Sequence, residues 1–88
     1  MELIPGRLYT VAGCGPMRLI DPPDPSEGRC TCRFETTGLL NYWASPDDIV
    51  READAEYLDR HAAALRAAGM ERPAVQIEKW REAWTRTT

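Results

Sequence analysis

Arg29-Cys30-Thr31-Cys32-Arg33-Phe34-Glu35 decides the fold class of this chain. Cys30, Cys32 and Phe34 fall on one side and Arg29, Thr31, Arg33 and Glu35 on the other, the period of two of a half-buried strand. Thr36-Thr37-Gly38 then turns the chain into Leu39-Leu40-Asn41-Tyr42-Trp43. An antiparallel hairpin is expected over these residues.

Upstream, Leu8-Tyr9-Thr10-Val11-Ala12 is rich in strand formers and is followed by the turn Gly13-Cys14-Gly15-Pro16. Met17-Arg18-Leu19-Ile20 reads as the returning strand. The prolines of Asp21-Pro22-Pro23-Asp24-Pro25-Ser26-Glu27-Gly28 supply no amide donors, so this stretch is a loop.

Downstream the signals change. Ser45 suits a helix cap, Pro46 the first helical position, and Asp47 and Asp48 the positive end of the dipole. Ile49, Val50, Ala53, Tyr57, Leu58, Ala62 and Leu65 then recur at helical spacing, with Gly69 as a stop. One long helix over about residues 46–68 is expected, either whole or broken near its first turn. Pro73 opens a second, short helix to about residue 85, with Ile77, Trp80 and Trp84 on one stripe. The competing reading makes Val75-Gln76-Ile77 a strand.

The sum is an α+β fold, one domain over residues 1–88, with three or four antiparallel strands in residues 7–44. Two domains of half this length would each fall below the size that sustains a core. Layering helices on the sheet should bury Leu8, Leu19, Cys30, Cys32, Phe34, Leu40, Val50, Leu58 and Trp80. Apolar content of 43% and charged content of 28% argue against general disorder. No apolar run approaches a membrane span, and the N-terminus has no basic, then apolar, leader. A cytoplasmic location follows as an expectation. Ten of the eleven basic residues are arginine, a bias common in GC-rich bacterial and phage genomes.

Catalytic groups are scarce. Cys14, Cys30, Cys32 and His61 lack the paired spacing of zinc modules, so no metal is expected. Cys14 with His61 as base has no third orienting group. Gly13-Cys14-Gly15-Pro16 lacks the lysine and hydroxyl of a phosphate loop. No cofactor, catalytic residue or enzymatic activity is expected.

Binding groups are more evident. The net charge is −3, with six acids and only Arg51 opposing them between residues 47 and 59. On a helix, Asp48, Glu52, Glu56 and Asp59 share a flank, either a solvated face or a docking surface for a basic protein partner. Trp84 near the C-terminus is a candidate anchor if it is not core. The alternative function is a nucleic-acid-binding module that uses Arg29, Arg33 and the C-terminal arginines.

Tyr42-Trp43-Ala44-Ser45-Pro46-Asp47-Asp48-Ile49 resembles the closing part of small SH3-like barrels, where an aromatic strand runs into a Pro-Asp turn. That resemblance covers residues 7–50 and implies a barrel or partial barrel. In general character (small, acidic, without catalytic groups) the chain also resembles phage-encoded anti-CRISPR proteins. That resemblance implies binding to a CRISPR effector subunit, blocking DNA binding or nuclease recruitment. The acidic flank would then compete for basic, nucleic-acid-holding surfaces.

Overall fold

A computed structural model describes residues 2–87, with side chains described to residue 83. Five strands precede two helices, which is the α+β class. The strands are β1 (Leu8–Val11), β2 (Gly15–Asp21), β3 (Cys32–Glu35), β4 (Asn41–Ala44) and β5 (Ile49–Glu52). They form one antiparallel sheet in the order β4-β3-β2-β1-β5. The first four are a meander, and the fifth returns to pair with the first.

Each turn has a local cause. Gly13 and Gly15 carry the first turn with φ of +77° at both. Gly15 also lies against His61, whose Cε1 would sit 3.3 Å from any Cβ added there. Between β2 and β3 the loop holds a one-turn helix, Pro25–Glu27, capped by the Asp24 carboxylate, which accepts from the Ser26 amide. The Ser26 hydroxyl donates to the same carboxylate and, as the largest cause, holds the Asp24 pKa below its ordinary 3.8.

The expected helix over 46–68 is not formed as one element. Ser45 caps only a single turn, Pro46–Asp48, through the Asp47 amide at 3.2 Å. Ile49 and Val50 are β-branched and favour an extended backbone, and the chain pairs with β1 as β5. The helix proper, α1 (Ala55–Ala67), starts at Asp54, whose carboxylate accepts from the Tyr57 amide at 2.8 Å. It ends in a Schellman motif. Gly69 (φ +78°) donates to the Arg66 carbonyl at 3.0 Å and Met70 to the Leu65 carbonyl at 2.8 Å.

The second helix, α2 (Glu71–Thr87), is 17 residues against 13 in α1, so it is not the short one, and residues 75–77 are helical. Pro73 sits in its first turn, where a missing amide costs nothing. Arg66 ties the helix ends together by bonding Glu71 and Glu78. That pairing, with Glu78 first, raises the Arg66 pKa.

β1 joins two buried clusters because its alternate residues face opposite ways. Tyr9 and Val11 join Met17, Leu19, Cys32, Phe34 and Ala44, with Leu3 and Ile49 against them. Every strand contributes to this cluster, so the sheet curls around it. Leu8 faces the other way and meets Ala53, Leu58, Ala62, Ala74, Ile77 and Trp80, which fixes the helical hairpin to the sheet.

Three expected core residues lie outside. Cys30 is exposed because regular pairing starts only at Cys32, with Arg29 held in an isolated bridge to Asp24. Leu40 is exposed because it precedes β4 at the hairpin's end, beyond the cover of the other strands. Val50 is exposed at an irregularity, where Ile49 and Arg51 pair with consecutive residues of β1 and Val50 is left over.

Candidate functional site at the sheet edges

The strand order leaves two edges, β4 and β5, and they differ in physical character. Unpaired edge strands are templates for association, and proteins blunt them with charge, irregular pairing or short length. β5 carries Arg51, Glu52 and the extra residue Val50. β4 is Asn41-Tyr42-Trp43-Ala44, uncharged and in regular register with β3 throughout. Among the described residues, no backbone group pairs with its outer side.

Large apolar groups gather at this short but uncharged and regular edge. Trp43 is 54% exposed and Tyr42 40%, and Leu39 and Leu40 just before them are 59% and 70% exposed. Trp43 stands opposite Arg33, whose guanidinium lies 6.0 Å from the indole centroid and pairs with Asp21 at 2.7 Å. Leu39 is the one non-glycine with positive φ (+63°) among the described residues. A left-handed leucine is strained, so an exposed leucine there is costly to both backbone and solvent. Between Leu39 and the first turns of α2 runs a groove of about 480 Å³, lined also by Val75, Arg72 and Lys79.

Acids flank the other end of β4. Asp47 and Asp48 follow it after Ser45 and Pro46, are exposed, and close no ion pair among the described residues. The Tyr42 phenol sits against the Cys14 thiol and near Asp48. The Cys14 hydrogen bond, then these charges and partial burial, hold the Tyr42 pKa above its ordinary 10.0. The contact also brings the β1–β2 turn to β4.

The four acids expected on one helix flank are dispersed over three elements. Asp48 is in the one-turn helix, Glu52 in β5, and Glu56 and Asp59 in α1. Glu52 pairs with Arg7 at 3.0 Å and Asp59 with Arg81 at 2.8 Å, while Glu56 is exposed. Trp84 and Arg86 lie outside the residues whose side chains are described. Arg29 meets Glu27 at 3.9 Å and Arg33 meets Asp21, so both sheet arginines have acids beside them.

Cys14 and Cys30 are exposed, Cys32 is buried, and none forms a disulfide. Burial raises the Cys32 thiol pKa above its ordinary 9.0. His61 lies beside Gly15 and Tyr57. Among the described residues no three histidine, cysteine or acidic side chains converge in a way that would hold a metal, and no helix is long and apolar enough to cross a membrane.

In the sequence, Tyr42 and Trp43 stood out as strand residues and as part of the SH3-like stretch, with Trp43 a core candidate, and not as binding residues. What sets this stretch apart is the absence of charge from Leu39 to Ala44, which periodicity alone does not register. No protein family, curated protein or solved structure matches this chain.

Proposed function

We propose that this chain is a non-catalytic protein-binding domain that docks an extended strand of its partner onto β4. The observation that carries the reading is the contrast between edges within one sheet: β5 is charged and irregular, β4 uncharged, regular and aromatic. Strand addition uses the free backbone groups of such an edge for affinity and side-chain pockets for specificity. Tyr42 and Trp43 are the residue types enriched at binding hot spots, and the adjoining leucines extend the apolar area.

The free carboxylates Asp47 and Asp48 at one end of β4 favour a partner strand with a basic flank. Asp48 thus keeps a binding role, though as part of the edge and not of a helix face. A meander whose fifth strand returns beside the first, through a one-turn Pro-Asp helix, supports the SH3-like reading of residues 7–50. Within this proposal the resemblance to anti-CRISPR proteins nominates a CRISPR effector subunit as the partner, with inhibition as the outcome.

The test compares three immobilised proteins: the natural chain, Trp43→Lys and Val50→Lys. A partner retained by the natural chain and by Val50→Lys, but lost from Trp43→Lys, is the expected result. Equal retention by all three, or loss only from Val50→Lys, would overturn docking at β4. An effector subunit would be recognised directly by adding it in purified form.

A further inference from the structure

We propose that a cleft between β5 and α1, separate from the β4 surface, binds a phosphate monoester group. The cleft is shallow and open, of about 400 Å³, and is lined by Arg51, Tyr57, Arg60, His61 and Ala64, with both arginines exposed. Its side chains hold one another in place. The Arg51 guanidinium lies 5.2 Å from the Tyr57 ring centroid, and Tyr57 stacks on His61 with centroids 5.8 Å apart and 27° between planes. Gly15 confines the imidazole from the sheet side.

Charge pairing is the telling feature. Arg7, Arg18, Arg33, Arg66 and Arg81 each meet a carboxylate oxygen at 3.0 Å or closer. Arg51 and Arg60 close no ion pair with any described residue, and neither do Arg72 and Lys79 on the groove beside Leu39, but the first two also have the Tyr57 ring and the His61 imidazole beside them. Even Glu56, one helical turn before Arg60, does not reach it. Two guanidinium groups on one cleft match a ligand of charge near −2 with several acceptor oxygens, which is a phosphate monoester.

A nucleic-acid backbone fits less well. Asp47, Asp48, Asp54 and Glu56 lie immediately before or within the elements that form the cleft, and would repel an extended polyanion. A single compact dianion can meet the two arginines without crossing that acidic surround.

The experiment is a titration of the full chain with inorganic phosphate, then with phosphoserine, at constant ionic strength, followed by amide NMR shifts. Saturable shifts centred on Arg51, Tyr57 and His61 are expected. Arg60→Gln, at an exposed helix position, should keep its melting temperature and bind about tenfold more weakly, since one charge-assisted contact is lost. Arg51→Lys keeps the charge but not the planar fork, and should also weaken binding. Arg72→Gln and Trp43→Lys should leave it unchanged, which separates this site from the β4 surface. Shifts that are linear, scattered, or indifferent to both Arg60→Gln and Arg51→Lys would overturn the proposal. So would tighter binding, per phosphate, of a single-stranded oligonucleotide than of phosphoserine.

Discussion

Trp43→Lys separates a docking role for the β4 edge from a merely structural one. Trp43 is 54% exposed, so roughly half of a side chain that spans about 200 Å² is already buried against the domain. At about 25 cal/mol per Å², removing that contact costs folding up to ~2.5 kcal/mol. The aliphatic stem of lysine recovers part of it, which leaves a loss of about 1–2 kcal/mol. The exposed half, about 100 Å², is what a partner strand can still cover, and it carries a similar ~2.5 kcal/mol. Binding should therefore weaken about 70-fold, or more once the new charge is desolvated. Urea unfolding gives the first number, and calorimetric titration with the captured partner gives the second. A folding loss above about 4 kcal/mol would make Trp43 a core residue. Unchanged affinity with intact folding would remove β4 from the binding argument.

Leu39→Gly should relieve the left-handed strain but lose chain stiffness and a partly buried side chain, so its net stability change should stay within about 1 kcal/mol while partner retention falls. A thermal shift measurement beside the capture assay checks both halves. Burial raises the Cys32 pKa above 9.0, so the folded state holds that proton more tightly than the unfolded chain. Its stabilising contribution is complete below about pH 9 and is lost as pH rises through the folded value. Melting temperature should fall over that alkaline window, and the slope should flatten in Cys32→Ala. The comparison is best made with Tyr42→Phe in both chains, since Tyr42 also titrates upward of 10.0. Glu52→Lys breaks the pair with Arg7 and should lower the melting temperature slightly, an effect of about 0–1 kcal/mol, whereas Glu56→Lys should not. Equal shifts in the two variants would show that the Arg7 pair contributes nothing.

The hairpin was legible because alternation is a local signal. Cys32 and Phe34 are buried and Arg33 and Glu35 face outward, as the period of two requires. The helical hairpin was legible for the same reason, through Leu58, Ala62, Ile77 and Trp80. Residues 49–53 were not, because Ile49, Val50 and Ala53 satisfy a helical period and a short strand equally well. What decides between them is pairing with β1, some forty residues away in sequence, which no local window contains. Asp54 followed by Tyr57 was the missed mark of the true helix start. The acids were not aligned on one flank, because the helix that was to carry all four does not form as one element. What replaces that flank rests on which strands end a sheet, a property of the whole topology.

The placement of apolar side chains carries the functional argument one step further. A chain of 88 residues has a small core and a stability margin of only several kcal/mol. Leu39, Leu40, Tyr42 and Trp43 together leave more than half of their combined surface in water, and covering it within the domain would add stability comparable to that whole margin. The omission is not a general looseness of the surface. The same sheet guards its other edge with Arg51, Glu52 and an irregular pairing, and the chain closes seven ion pairs among the described residues. Nor is it a failure of local geometry, since β4 pairs with β3 at all four positions without a break. An exposed, uncharged, regular aromatic edge beside a strained surface leucine is a poor arrangement for a free monomer. It is a good one for a domain whose sheet takes a sixth strand, on the open side of β4, from another protein.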